Sequence, residues 1–423
     1  MANHTCCDDR IDVMRFRAWR ALSYDNQAAL SPALGEQLFP SPLVVTAAQL
    51  ETFAACPFQH FVRHGLQLAD RPADDVTGGD LSRVYHDLLE RLVRDLLRQQ
   101  KDFSTAAAEW TDAQVRGYAR QVGERLKGEV LLESARGAYL LRRIERTLQK
   151  VVASQRAMAA RGRFAPQFVN LAFGEEGSAV GPLAVRTPRG RELRVRGRID
   201  RVDVRAGGSE VAVFDYKLGG GQLALGEAYH GLSLQLLTYL LVLQQSGEQL
   251  VGRPVTPTAA FYLQLLRRLG DVKHPDEATD PADDRFHLAC KPRGIVGGDA
   301  FPHFDNAAEP GRSDVLAVWV GKGGEFVDRG RTDVALAEEM TALLAHVRRR
   351  MAELADRMAV GDVAIAPYRI AKESPCGRCA YRPVCRFDVT TNRYNKLEAL
   401  GREEVLHRVT NAGGTADSAD DAD

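Results

Sequence analysis

The spacing of apolar residues changes from helical to extended near residue 160, and that change constrains the fold more than any other feature of the chain. Upstream, Leu81, Val84, Tyr85, Leu88, Leu89, Leu92, Val93 and Leu96 repeat at three and four, after Gly78, Gly79 and a capping Asp80. Helical patterning then continues to about residue 160. Downstream the repeat is two: segments around 168–173, 183–186, 193–204 and 210–216 read as strands, with glycine-bearing turns at 188–190 and 206–208. A leucine-rich helix over about 232–244, a strand near 259–266 and a helix over about 332–357 follow. That order predicts an α/β core with a mixed central sheet flanked by helices. With 423 residues, 45% of them hydrophobic, there is enough apolar material for one large or two medium cores.

Residues 1–44 carry no clear amphipathic period and end in LFPSPL, which reads as a lead-in segment. From Thr46, a candidate N-cap, Leu50, Phe53, Phe58 and Phe61 follow a helical period that Pro57 interrupts, so two short helices are expected. Residues 268–312, rich in Asp, Pro and Gly, read as an insertion. Residues 361–390 form a Cys-rich arm, and 391–423 a C-terminal tail that is small and acidic from about 411 and is expected to be disordered there.

Lys plus Arg and Asp plus Glu both number 56, which excludes binding of polyanions by bulk charge and leaves only local contacts. No apolar run approaches the length of a membrane span, and the N-terminus lacks the charged-then-apolar order of a secretory signal. A cytoplasmic protein with no membrane partner is expected. Seven cysteines are too few for a disulfide scaffold, and the odd number argues against full pairing.

The strand pair RVRGRIDRVD and EVAVFDYKLG carries the sharpest chemical signal. Asp215 and Lys217 lie two apart on one strand and so point to one face, while Asp200 closes the neighbouring alternating run. Two acids and a lysine converging at strand ends can hold a divalent metal and a water beside a phosphodiester. The carboxylates give the hard oxygen ligands Mg²⁺ prefers, the Tyr216 carbonyl completes them, and Lys217 orients or deprotonates the water. An Asp–Lys pair alone reads rather as a surface ion pair at a strand end, and it is the companions of this pair that reverse that reading. The cysteines form a second constellation. Cys376, Cys379 and Cys385 give C-x₂-C-x₅-C, and Cys56 lies 320 residues before the first of them. Four thiols could serve an iron–sulfur centre or zinc if the two ends of the domain meet. Cys6, Cys7 and Cys290 show no such spacing.

Taken together, GRIDRVD, VFDYKLG and LQLLTY resemble the PD-(D/E)xK nucleases of the RecB-like type, most of all the nuclease domain of AddB in the AddAB helicase–nucleases. The resemblance runs from about 42 to 390 in six ordered blocks. It implies a restriction-endonuclease-like nuclease domain over 45–390, with a large helical part at 80–160 and the catalytic sheet and helix at 165–266. It implies that His86, in a Gly-to-His helix entered at Gly79 with longer spacing than the family's, joins Asp200, Asp215 and Tyr216 around Mg²⁺ or Mn²⁺, with Glu90 one turn on as the fallback acid. Gln235 and Tyr239, four apart on one helix face, match the Q-x-x-x-Y element, in which the glutamine braces the lysine or the scissile phosphate and the tyrosine contacts the DNA backbone. The resemblance also favours a [4Fe–4S] cluster on Cys56, Cys376, Cys379 and Cys385, joining the N- and C-terminal segments as a structural clip.

The function these features imply is Mg²⁺-dependent hydrolysis of DNA in double-strand-break repair, directed at a 5′-ended single strand or a duplex end. Arg198 and Arg201 would guide phosphates, and a helicase–nuclease of the AddA type would be the partner. No G-x-x-x-x-G-K-[ST] motif occurs, so ATP hydrolysis by this chain is not expected. A fragment, a split subunit and a free-standing nuclease all fit its length. The competing readings are a stand-alone single-strand exonuclease of the exonuclease V or CRISPR-associated type, a non-catalytic DNA-binding scaffold, and a zinc-stapled protein unrelated to nucleases.

Overall fold

The strand Glu210–Lys217 is buried over six consecutive residues, which is why its sequence is an unbroken apolar run rather than an alternating one. It is the axis of the computed structural model, which describes residues 5–22, 26, 29–69, 78–125, 135–219, 222–266 and 291–414. In chain order the helices are α1 (Thr5–Leu22), α2 (Pro32–Leu38), α3 (Ala47–Ala55), α4 (Pro57–His60), α5 (Gly78–Arg98), α6 (Ala108–Arg125), α7 (Ala135–Arg161), α8 (Leu225–His230), α9 (Gln235–Val251), α10 (Ala337–Ala359), α11 (Arg382–Cys385) and α12 (Arg402–Gly414). The strands are β1 (Leu43–Val45), β2 (Phe164–Phe173), β3 (Leu183–Arg186), β4 (Glu192–Val195), β5 (Gly197–Arg205), β6 (Glu210–Lys217), β7 (Thr256–Gln264), β8 (Arg293–Gly297), β9 (Gly311–Arg312), β10 (Trp319–Val320), β11 (Val334–Ala335), β12 (Tyr368–Ile370) and β13 (Asn395–Leu397).

The main sheet has the order β11-β8-β7-β6-β5-β2. β2, β5 and β6 form an antiparallel meander, β6 and β7 run parallel, and β7 and β8 return to antiparallel. The parallel step requires a crossover, and α9 supplies it. Its LLTYLLVL run is buried on all sides because it packs against both the sheet and α10. On the other side, α5, α6 and α7 share a core with Tyr216, Leu263 and Leu265 of the sheet. This mixed sheet between helical layers is consistent with the PD-(D/E)xK fold. Among the described residues no helix is long and apolar enough to cross a membrane.

Three expectations need correction. The stretch 193–204 is not one strand: β4 pairs with β1 and β3 in a second sheet, and β5 begins at Gly197 in the main one. A Cβ at Gly197 would lie 3.0 Å from the Phe173 ring, so the missing side chain lets Phe173 cover the chain where it changes sheets. The segment 268–312 is not wholly an insertion. Residues 267–290, Cys290 among them, lie outside the described residues, but 293–297 form β8 inside the main sheet, where a Cβ at Gly294 would meet the Ala260 carbonyl at 2.0 Å. The tail is helical to Gly414, past the point at which disorder was expected, because α12 packs Val405, Leu406 and Val409 into the core. Residues 415–423 lie outside the described residues, as do the side chains of Cys6 and Cys7.

The α3–α4 corner forms as its residues dictate. Thr46 and Gln49 make a reciprocal capping box, and Pro57 occupies the first turn of α4. His60, at the end of α4, is 2% exposed among Phe39, Phe53 and His64. Burial, and then the neighbouring His64, push its imidazole down to about 3. The unfolded chain takes up this proton below about pH 6.5 and the folded one only near 3, so the stability His60 allows is complete above 6.5 and falls with pH across that window. At pH 5 the loss is ~2 kcal/mol relative to pH 7. Denaturant titrations at the two pH values check this, and His60→Gln is expected to remove most of the difference.

Candidate active site

The ends of β5 and β6, the middle of α5 and the first turn of α9 converge on one edge of the main sheet. Asp215 and Lys217 project from the same face of β6, and Lys217 Nζ lies 2.7 Å from Asp215 Oδ2. Gln235, the first residue of α9, locks both: its Oε1 accepts from Lys217 Nζ at 2.7 Å, and its Nε2 reaches Asp215 Oδ1 at 2.9 Å. The Tyr216 peptide ties in the other half. Its N–H donates to Asp200 Oδ2 at 2.8 Å, and its carbonyl lies 2.6 Å from His86 Nε2, which is itself 3.4 Å from Asp200 Oδ2.

The electrostatics follow from that crowding. Burial, then the charge of Asp215, push the Asp200 carboxyl up to about 6, against the pull of His86. Burial also raises Asp215, opposed by Lys217. Two carboxylates held near each other with their charged forms disfavoured are a site that gains from a cation. An imidazole nitrogen, two carboxylates and a backbone carbonyl are suitable donors for it. Among the described residues no three His, Cys, Asp or Glu side chains are grouped closely enough to hold a metal ion on their own. Any such ion would therefore depend on the Tyr216 carbonyl as well as on side chains.

His86, Asp200, Tyr216 and Arg198 share the wall of an open cavity of about 270 Å³ with Glu90. Glu90 is ion-paired with Arg94 and stands at the rim. Arg198 is exposed at the mouth, 2.9 Å from Glu175. Arg201 is not at the mouth, contrary to its expected role on phosphates. The strand alternation that aims Asp200 at the site sends Arg201 through the sheet, where it is 2% exposed, paired with Asp203 at 2.8 Å and Gln155 at 2.7 Å, and stacked 3.9 Å over Phe214. Tyr239 is 5% exposed, and its hydroxyl accepts from Gln235 Nε2 at 2.7 Å. It supports the glutamine from behind rather than offering a contact to a DNA backbone.

Two residues that sequence reasoning did not single out complete the site. Glu51 of α3 accepts from the backbone N–H groups of Leu234 and Gln235 at 2.6 and 3.0 Å, placing a carboxylate on the N-terminus of α9. Tyr262 of β7 lies beneath Lys217 Nζ, 5.1 Å from ring centre to nitrogen. The available signal for Glu51 was an acid next to Leu50 on the apolar side of α3. Tyr262 gave none, because aromatics are ordinary in buried strands.

At the C-terminal end of α3, five residues after Glu51, Cys56 joins Cys376, Cys379 and Cys385 in lining a single small cavity, and all four are free thiols. Burial pushes the Cys56 thiol up to about 11, while the backbone N–H groups of Gln59, Phe58 and Ala366 pull the other way.

The sequence profile of the PD-(D/E)XK nuclease superfamily matches residues 44–386. A protein of Symbiobacterium thermophilum, named as the B subunit of an ATP-dependent helicase/deoxyribonuclease, is 36% identical over 392 residues, which cover 91% of this chain and 33% of the relative. Identically named proteins of Moorella thermoacetica and Alkaliphilus oremlandii are 35% and 29% identical, over 89% and 96% of this chain and 33% and 35% of theirs. The chain thus spans about a third of the length of the curated relatives it matches.

Proposed function

Because the chain belongs to the PD-(D/E)XK nuclease superfamily, we propose that it is a metal-dependent deoxyribonuclease whose hydrolytic groups are His86, Asp200, Asp215, Lys217 and Gln235. The observation that carries this reading is the closed Asp215–Lys217–Gln235 triangle beside the His86–Asp200–Tyr216 cluster. A strand-end ion pair would not need a bridging glutamine or a second carboxylate.

Asp200, Asp215, His86 and the Tyr216 carbonyl would hold Mg²⁺ or Mn²⁺, which when bound polarises a phosphoryl oxygen and acidifies a water. The protein's own part is positioning. Gln235 and Asp215 fix the Lys217 ammonium, whose one remaining hydrogen can orient a water and whose charge can offset that gathering on the phosphate. The Tyr216 N–H favours the charged form of Asp200, against burial and the charge of Asp215, and Arg198 offers a cation to the strand at the mouth. Glu51 is a positioning residue acting through α9. Glu51→Ala is expected to lower kcat on DNA about tenfold with little change in KM and to cost ~1 kcal/mol as a lost helix cap, while Glu51→Gln, which still accepts, recovers most of both. Steady-state cleavage assays with denaturation curves check this.

The names of the relatives couple a helicase to a deoxyribonuclease. That supports a helicase-bearing subunit as partner and DNA as substrate; a motor of the AddA type and 5′-ended single strands at double-strand breaks are the finer form of the proposal. Cys56, Cys376, Cys379 and Cys385 would hold a [4Fe–4S] cluster. What supports this is that the four free thiols line one cavity, with backbone N–H groups directed at Cys56; as placed, no three of them are close enough together for a single metal ion, so binding would have to draw them in. The deciding experiment incubates the anaerobically purified chain with end-labelled single- and double-stranded DNA, with and without Mg²⁺. Cleavage that requires the metal is expected. No cleavage of any DNA with Mg²⁺ or Mn²⁺ would end the nuclease reading, and a colourless preparation containing zinc would end the cluster.

A further inference from the structure

A second cavity, of about 570 Å³, is larger than the one at His86. It adjoins the other side of the catalytic edge and lies within the size range of sites that enclose ligands. The sheet connects the two. Asp215 of β6, Tyr262 of β7 and Arg293 of β8 are direct cross-strand neighbours and therefore form a row on one face. At ~4.8 Å per strand, Arg293 stands about 10 Å from Asp215, with Tyr262 between.

The cavity's basic end is built rather than incidental. One carboxylate, Asp333, serves two guanidiniums, Arg293 at 3.0 Å and Arg402 at 3.6 Å, leaving a positive charge over. Arg402 is nine-tenths buried, and although it also donates to the Gly294 carbonyl, its Nε has no hydrogen-bond partner. That Nε is itself sealed from the cavity, so what Arg402 lends the cavity is a fixed and only partly neutralised positive charge. Above it Arg312, which pairs with no acid among the described residues, lies 4.3 Å over the Trp319 ring. At the far end Glu227 and Glu373 face each other, so phosphates are favoured only on the arginine side.

We propose that this cavity is a strand-binding subsite that holds a short stretch of single-stranded DNA beside the scissile phosphate, with a base stacked on Trp319 and phosphates on Arg312 and the Arg293–Arg402 pair. This rests on the nuclease reading above and gives that site its substrate form. An indole platform needs an unstacked base face, which a single strand presents and an intact duplex does not.

The test is binding of a fluorescein-labelled oligothymidylate to the full chain in EDTA, by anisotropy, across a salt series. Trp319→Ala and Arg312→Ala are each expected to weaken binding about tenfold, and Trp319→Phe to recover most of it. Arg312→Ala should also flatten the slope of log Kd against log salt by about one. Wild-type affinity in all three variants would overturn the proposal, as would equal weakening on a blunt duplex of the same length. Should Trp319→Ala fail to fold, Arg312→Ala, altered at an exposed position, decides alone. Cleavage is read separately: if the wild type cuts no DNA the nuclease reading falls, and the anisotropy series still decides for or against strand binding here.

Discussion

Asp215→Asn is expected to slow Mg²⁺-dependent DNA cleavage by at least ~10³-fold while leaving the melting temperature unchanged or slightly raised. The two halves of that expectation have different causes. The amide keeps the shape of the carboxylate and an oxygen that can accept from Gln235 Nε2, so α9 stays where it is. Burial disfavours the Asp215 charge, and Lys217, a third exposed, can be solvated once its partner is neutral. Little folding energy is therefore at stake. The cleavage chemistry is different, because an amide cannot supply the negative charge that a divalent ion needs next to Asp200. If the Asp–Lys pair merely fastened a strand end, the substitution would move stability and spare cleavage. Initial rates on end-labelled single strands, oligonucleotide binding in EDTA and a thermal melt separate the two, and wild-type rates in Asp215→Asn would remove Asp215 from the chemistry.

Much of this site is legible in the sequence because its parts obey short-range periods. Asp215 and Lys217 share a face by the period of a strand, Gln235 and Tyr239 by that of a helix, and the apolar stripe through Leu88, Leu92 and Leu96 orients α5. The errors arise where burial on both faces erases the period. β5 is buried almost throughout from Ile199, so nothing in RGRIDRVDVR says that Arg201 faces the core until Asp203, Gln155 and Phe214 are seen around it. β8 is only five residues, two of them glycine, and its place beside β7 is a long-range fact. Glu51 acts on backbone groups 183 and 184 residues away, a pairing no local pattern encodes.

Cys56→Ser is expected to release the Cys-rich arm without dismantling the sheet. Between Pro367 and Val405 no hydrophobic side chain is buried, so this stretch contributes little to the core that could hold it down. Its attachments among the described residues are mainly polar: Tyr381 donates to the Leu68 carbonyl at 2.8 Å, Asn26 to the Cys385 carbonyl at 2.8 Å and Asn392 to Asn26 Oδ1 at 2.6 Å, while at the arm's end Glu398 meets His230 and Arg408. Arg63 lies 5.9 Å over the Tyr381 ring. Such contacts are worth about 1 kcal/mol each and do not order a segment of this size. A four-thiol centre tying the arm to Cys56 would: with the sheet still folded, the loop it closes is the arm itself, a few tens of residues, for which the chain-entropy account gives ~4 kcal/mol. α12 lies beyond the arm and packs on α10, so the arm stays tethered at both ends and the main core should keep its melting transition. Removing the staple should then raise proteolytic nicking between 366 and 400 by two to three orders of magnitude, the factor that ~3–4 kcal/mol of lost local stability implies. Limited proteolysis with mass mapping, alongside metal content and visible absorption, reads the result. Equal resistance in mutant and wild type would mean that the arm is held by something other than its sulfurs.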